Sequence, residues 1–355
     1  MKILHIADVH IGSPLSSVLS GRLARERSAE ILECFIKTVR SGVNEGAQAV
    51  IIAGDLFDSR KVSQRTIEAT LSIMRELSQV HFFILMGNHD GEILNRYGKK
   101  LPQNLNLFNT GWTYYNLDDV TIAGRTDLGK GAFDTLRLDP TRKNIVVLHG
   151  EVRESGEGEI VLKDLAHRGI DYVALGHYHS YQCYPVDNRC EAVYSGAPEG
   201  RGFDECGEKG YVTINIENGR VCHKFTKNSK RILHTVRVDI SGARDNGEWE
   251  WRVDAAIRNI SPSDLVRVDL IGKYKIGLNR DLFRLKRRFG ERFYHFEARD
   301  LSTLEISLSD YELDKSLRGE FVRAVLADTT LSEIEKGEII NCGLYALEGE
   351  AVYER

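Results

Sequence analysis

Five short apolar runs in this 355-residue chain each end in a cluster of glycine, aspartate, asparagine or histidine, and this recurrence constrains the fold more than any bulk property. The clusters are Asp8-Val9-His10, Gly54-Asp55-Leu56-Phe57-Asp58, Gly87-Asn88-His89-Asp90, His149-Gly150 and Gly176-His177-Tyr178-His179. The runs in front of them, Ile3–Ala7, Ala49–Ala53, His81–Met86, Asn144–Leu148 and Tyr172–Leu175, read as strands. Helical patterns over Arg22–Asn44 and Gln64–Ser78 separate the first three, with Ser63 placed to cap the second helix. Strand–helix alternation predicts a layered α/β domain. In open α/β sheets ligand sites assemble at the carboxyl ends of strands, which is where all five clusters fall.

Further strands are expected at Val120–Ala123, Ala192–Ser195, Tyr211–Ile216 and Val221–Phe225, with one clear helix near Val161–His167. That change of pattern predicts a second, more antiparallel sheet facing the first. The polar stretch Lys227-Asn228-Ser229-Lys230-Arg231 reads as a linker. The expected domains are therefore 1–228, a smaller α+β unit over 231–300, and a helical region over 301–355. Charge follows this division. Residues 265–300 hold ten positive and five negative side chains, a net of +5, while 301–355 hold five and twelve, a net of −7.

The overall charge of −4 argues against a protein that coats nucleic acid by bulk electrostatics, so any nucleic-acid contact is expected to be local. No apolar run approaches the roughly 18 residues of a membrane span, and the N-terminal residues lack the apolar core of a signal peptide. Cys34, Cys183, Cys190, Cys206, Cys222 and Cys342 form no CxxC pair and read as reduced thiols of a cytoplasmic protein. Cys183 and Cys190 lack the second close pair of a zinc knuckle.

Imidazole, carboxylate and amide oxygen together suit Mn, Fe or Zn better than Ca or Mg. Glycines 54, 87 and 176 stand beside these groups and permit tight turns. Residues i and i+2 of an extended segment point to one side, so Asp8/His10 and His177/His179 are each expected to converge on one centre.

In this order and wording the five motifs resemble the calcineurin-like metallophosphoesterase superfamily, and within it the SbcD/YhaO-type DNA repair exonucleases. The run Tyr194–Glu205 is similar to a segment of that nuclease branch. The resemblance implies a four-layer α/β/β/α sandwich with a smaller α+β capping domain and a helical C-terminal tail. It implies one metal held by Asp8, His10, Asp55 and His179, and another by Asp55, Asn88, His149 and His177, with Asp55 bridging. It makes His89 the catalytic histidine and Asp90 the carboxylate that orients it. The two divalent ions are expected to be Mn, with Fe or Zn also accepted. DNA, an SbcC-like coiled-coil ATPase and a second copy of the chain are the partners it allows. A pair of divalent ions roughly 3.5–4 Å apart activates water and neutralises phosphoryl oxygens, which is the chemistry of phosphodiester hydrolysis. A phosphatase or nucleotide phosphodiesterase with the same metals, and a non-catalytic scaffold for DNA ends, are the alternatives.

Other features carry plainer readings. Asp58 is expected to cap its loop. His5, His81, His167, His223, His234 and His295 read as core or surface histidines, and Trp112, Trp249 and Trp251 as packing residues. Arg60, Lys61, Arg96, Lys99 and Lys100 flank the expected cleft and could meet phosphate. After Leu278 an amphipathic helix is expected, with Leu278, Leu282, Leu285 and Phe289 on one face and Arg280, Arg284, Arg287 and Arg288 on another.

Overall fold

The computed structural model describes residues 1–15, 19, 21–59, 62–90, 93–129, 131–154, 159–275, 278–305, 311 and 313–347. It divides into two compact units, Met1–Ile232 and Leu233–Arg355. In chain order the first unit contains β1 (Lys2–Ile6), α1 (Gly21–Asn44), β2 (Ala49–Ala53), α2 (Gln64–Glu76), β3 (His81–Leu85), β4 (Leu105–Leu107), β5 (Thr113–Leu117), β6 (Val120–Gly124) and β7 (Lys143–His149). A two-residue pair follows, β8 (Val152–Arg153) and β9 (Ile160–Val161), then α3 (Leu162–Leu165) and β10 (Tyr172–Gly176). The unit ends with β11 (Gln182–Pro185), β12 (Glu191–Tyr194), β13 (Gly210–Glu217) and β14 (Arg220–Lys227).

Two six-stranded sheets result, ordered β14-β13-β1-β2-β3-β4 and β11-β12-β10-β7-β6-β5. In the first, β1 to β4 run parallel and the β13–β14 hairpin adds antiparallel beside β1. In the second, β6, β7, β10 and β12 are parallel, and only the edge strands β5 and β11 are antiparallel. The expectation of a more antiparallel second sheet is thus corrected. Its supposed strands over 211–225 belong to the first sheet, because the two-residue turn Asn218-Gly219, both at positive φ, folds them into a hairpin that returns to β1. Strand patterning reports burial and not the neighbour across the ladder.

The sheets face each other through alternate side chains. Ile3, Ile51, Phe83, Val212 and Ile214 of one meet Ile122, Ile145, Val147, Ala174 and Val193 of the other in a single buried core. Each fully buried aliphatic side chain contributes roughly 1.5–3 kcal/mol. On the outer face of the first sheet, α1 approaches so closely that a Cβ at Gly42 would lie 2.2 Å from Leu4 Cδ1. Ser63 caps α2, its hydroxyl accepting the Thr66 amide at 3.1 Å. The outer face of the second sheet packs Val146, Val173 and Leu175 against Phe133, Leu162 and Leu165, so the one-turn helix α3 is a thin fourth layer.

The second unit is a β-α-β-α-β fold. Strands β15 (Leu233–Asp239), β16 (Leu265–Ile271) and β18 (His295–Asp300) are parallel, linked through α4 (Asn246–Ile257) and α5 (Leu282–Phe289). The short β17 (Lys273–Tyr274) pairs with β19 (Thr303–Leu304). Two further helices span Leu317–Ala327 and Glu333–Leu347. Val322, Ile340 and Leu344 share a core with Trp249, Val268 and Phe289, so the helical tail is built into this unit. Arg280 departs from the expected basic helical face. It precedes α5, is buried, and ion-pairs with Asp300 while stacking over Tyr274. Trp112 and Trp249 pack as expected, whereas Trp251 is exposed. Among the described residues no helix is long and apolar enough to cross a membrane.

A buried ion network ties α1 to the chain that follows β12. Arg27 donates to Glu30 at 2.7 Å, to Glu199 at 2.9 Å and to the Gly200 carbonyl at 2.7 Å. Glu30 also takes Arg231 and Lys230, and Glu199 accepts the Lys230 amide. Burial alone would push the Glu30 carboxyl up, but Arg231, Arg27 and Lys230 outweigh it and hold it at about 2. A carboxylate depressed below its unfolded value of 4.5 stabilises the fold above that pH, and the gain disappears as pH falls toward 2. Glu30→Gln is therefore expected to cost about 2–3 kcal/mol near pH 7, with the gap from wild type closing between pH 4.5 and 2. Denaturant unfolding across that range measures it; a gap independent of pH would contradict the network's electrostatic role.

Candidate metal centre

The five motifs lie just beyond β1, β2, β3, β7 and β10, and the two sheets bring them to one end of the sandwich. Their backbone is not extended. Asp8, His10, Asp55 and His177 have φ of 52°, 49°, 52° and 117°. Non-glycine residues with such φ are strained by about 1–3 kcal/mol each and need a surrounding structure that holds them. Hydrogen bonds between neighbouring loops provide it. The Asp8 amide donates to the Gly54 carbonyl at 3.1 Å, His10 to Asp55 at 2.9 Å, and Ile11 to Leu56 at 2.9 Å. The expected i, i+2 alternation of Asp8/His10 and His177/His179 is thus replaced by left-handed residues that turn the chain past each strand end.

Asp55 stands at the middle. One carboxylate oxygen accepts the His89 amide at 2.9 Å. The other lies 3.4 Å from His149 Nε2 and 3.7 Å from His10 Nε2. Both ring nitrogens of His10 and Nε2 of His149 are buried without a hydrogen-bond partner. Burial opposes charge on the Asp55 carboxyl, yet His149, the His89 amide and His10 together hold it below the usual carboxylate range. Burial likewise opposes charge on His149, but Asp55 and Asp8 push its imidazole up to about 9. Burial lowers the His10 imidazole and raises the Asp8 carboxyl. The glycines serve close approach. A Cβ at Gly54 would fall 2.0 Å from His149 Nδ1, and one at Gly87 would fall 2.3 Å from Asp55 Oδ1.

Three overlapping groups of donor atoms each gather within 4.8 Å: Asp8, His10 and His179; His10, Asp55 and His89; and Asp8, Asp55 and His149. His177 donates its amide to both Asp8 carboxylate oxygens at 3.0 Å, and its ring centre lies 5.5 Å from that of His149. Asn88 and its neighbour His89 are both exposed on the turn after β3. Arg96, Lys99 and Lys100 are exposed on the turn that follows, and Arg60 and Lys61 lie outside the described residues.

Asp90 does not sit on His89. Its two oxygens accept the Phe57 amide at 2.6 Å and the Gly87 amide at 2.9 Å, bracing the second motif against the third. Burial pushes its carboxyl up to about 6. His89 Nδ1 instead meets the Asp58 carbonyl at 3.0 Å. A carbonyl can only accept, so Nδ1 carries the hydrogen and Nε2 is left for other work.

Two residues outside the five motifs, Arg201 and Glu205, back the histidines. Glu205 faces His179 Nδ1 at 2.7 Å and Arg201 at 2.8 Å, and Arg201 reaches Asp58 at 3.0 Å. Asp58 in turn lies 3.5 Å from His10 Nδ1. A carboxylate on the far nitrogen fixes a ring's tautomer and direction. For Glu205 burial pushes the carboxyl up, yet His179 and Arg201 hold it at about 2. Asp58 thus pairs with Arg201 and lies beside the His10 ring as well as in its loop. Neither Arg201 nor Glu205 has a role that its sequence position assigns, and the only signal for them is the run that contains both.

The calcineurin-like phosphoesterase family matches residues 1–181. The chain is 24% identical to the uncharacterized metallophosphoesterase YhaO of Bacillus subtilis, over 69% of this chain and 64% of that one. It thus spans just under two thirds of that relative's length. It is 25% identical to the DNA double-strand break repair protein Mre11 of Saccharolobus solfataricus, covering 68% and 70% of the two chains. The SbcD component of the SbcCD nuclease of Staphylococcus epidermidis is 26% identical, with 63% and 68% covered. With more than half of its residues matched, this chain belongs to the calcineurin-like phosphoesterase family and is a metal-dependent hydrolase.

Proposed function

We propose that this protein is a two-metal DNA nuclease that hydrolyses phosphodiester bonds at DNA ends. One observation carries the reading: a single carboxylate, Asp55, lies between the unpartnered ring nitrogens of His10 and His149. Buried ring nitrogens without a hydrogen-bond partner are costly unless something coordinates them. The donor set fits divalent cations of the Mn, Fe or Zn kind, and the reading takes Mn. Asp8, His10, Asp55 and His179 would hold one ion, and Asp55, Asn88, His149 and His177 the other, with Asp55 shared. When bound, such a pair supplies charge neutralisation for the phosphoryl oxygens and an activated water.

The chain's own groups complete the chemistry. His89, with its Nδ1 hydrogen committed to the Asp58 carbonyl, presents Nε2, which in the imidazolium form carries a second hydrogen and would give it to the leaving alkoxide. Glu205 keeps the His179 ring aimed at the centre. The choice of DNA rests on the relatives whose names give DNA repair and nuclease functions. In this reading the enzyme is a 3′–5′ exonuclease with endonuclease activity, works with an SbcC-like coiled-coil ATPase, and acts as a homodimer.

Substrate preference tests the reading. Purified protein with Mn is expected to degrade linear duplex or single-stranded DNA and to prefer bis-p-nitrophenyl phosphate over the monoester. Preference for p-nitrophenyl phosphate would make it a phosphatase instead, and no hydrolysis with metals verified would leave a scaffold.

A pair of substitutions separates the third motif's two roles. His89→Ala is expected to keep its metals and stability while turnover falls by about 10²–10⁴-fold. Asp90→Ala removes the acceptor for two amides, so it is expected to lose about 1–3 kcal/mol of stability and to bind metal more weakly. Unfolding curves and metal titrations of both proteins distinguish them. Equal stability of the two variants would return Asp90 to the role of orienting His89.

A further inference from the structure

The open edge of the sandwich carries a second gathering of ligand-type side chains, away from the strand ends. Cys183 on β11, Glu191 on β12 and His223 on β14 place a sulfur, an oxygen and a ring nitrogen within 4.8 Å of one another. Register explains how. Cys183 pairs with Val193 across the β11–β12 ladder, and Glu191 lies two residues from Val193, so both share the face that Val193 turns into the inter-sheet core. His223 pairs with Ile214 and lies between Val221 and Phe225, which pack on that same core from the opposite sheet. The three side chains therefore meet across the gap between the two sheets, where β11 and β14 are the last strands.

We propose that Cys183, Glu191 and His223 form a zinc site that clips the two sheets together at this edge. Thiolate, imidazole and carboxylate are the donors zinc takes, and in a tetrahedral shell they stand about 3.2–3.7 Å apart. His223 Nδ1 is already 3.2 Å from Glu191 Oε2. His223 Nε2 is held at 3.0 Å by the Tyr181 hydroxyl, so the outward nitrogen carries the second contact that metal-binding histidines have. The rings of Tyr172 and Tyr181 flank it, with centres 5.7 and 6.2 Å away. Cys183 and Glu191 are exposed, which leaves an entry path and a fourth position for water.

Binding replaces the thiol hydrogen of Cys183 by the metal and releases a proton to solvent. Burial and the neighbouring Glu191 push that thiol up to about 11, so the free cluster holds a thiol and not a thiolate. Cys190, the nearer cysteine in sequence, takes no part. It is buried in the packing on the other face of the sheet. The clip would fasten the segment that runs from His177 and His179 through Tyr181 to Cys183.

Cobalt(II) in place of zinc provides the test, because thiolate coordination gives a near-ultraviolet charge-transfer band and the strand-end cluster contains no cysteine. The full chain, stripped with chelator and titrated with cobalt(II), is expected to show this band at one thiolate site per chain. Zinc should abolish it by competition. Cys183→Ser and His223→Ala are expected to lose the band, while Cys222→Ser and Asp55→Asn keep it. Zinc should also raise the melting temperature of Asp55→Asn more than that of Asp55→Asn/Cys183→Ser. Circular dichroism confirms that each variant is folded. No band at saturating cobalt(II), or a band that survives Cys183→Ser, overturns the proposal, and neither result touches the reading of the strand-end centre as a nuclease site.

Discussion

The crowding around Asp55 is the constraint on which the rest of the site depends. Three chain segments, from the ends of β2, β3 and β7, come so near that a single Cβ at Gly54 or Gly87 would overlap His149 or Asp55 itself. Asp55 adopts a left-handed backbone in the middle of this contact, and Asp8 and His10 do the same one strand away. Such conformations survive only where neighbouring atoms over-determine them. Here the two loops hydrogen-bond to each other residue by residue, from Asp8–Gly54 to Asp58–Ile11, and so hold each other in conformations that neither would keep alone.

The sandwich supplies the stiffness that this requires. Asp8, His10, Asp55, Asn88 and His89 come from strands of one sheet, and His149, His177 and His179 from strands of the other. Asp55 and His149 can share a group of donors only once the two inner faces have closed. The buried core of Ile3, Ile51, Phe83, Ile145, Val147 and Ala174 is therefore a precondition of the site as well as of the fold. Hydrophobic burial fixes the sheets at a set distance, and the strand ends inherit that distance as the spacing between ligand-type side chains.

Much of this was legible in the residues. The strands that carry the motifs, the two long helices and the Ser63 cap could be read because period, length and cap chemistry are local properties. Histidine and aspartate at successive strand ends could be read as one site because few other arrangements use them. What could not be read was geometry that depends on partners distant in sequence. The hairpin over 210–227 joins the first sheet, since nothing in an alternating strand says which neighbour it meets. The family resemblance makes Asp90 a partner for His89, but its side chain is drawn to two amides that only the folded loops bring into range. Arg201 and Glu205 were recognisable as part of a familiar run, while their task of holding His179 emerges only when β10 and the loop after β12 lie side by side.

That last point explains why a segment so far from the motifs should matter to them. His179 is held twice by the same stretch of chain: Glu205 takes its ring, and the buried Lys209 ammonium donates to its carbonyl at 2.6 Å. The stretch is itself anchored, because Glu199 and Gly200 are fastened to Arg27 on α1. Two sets of charge-assisted hydrogen bonds, joined by the peptide chain after Gly200, thus connect the outer helix layer to a residue of the proposed metal shell. Hydrogen bonds to charged groups contribute about 1.5–3 kcal/mol each, against roughly 1 for neutral ones. Within the stretch from 196 to 209, Glu205 and Lys209 therefore restrict where His179 can point.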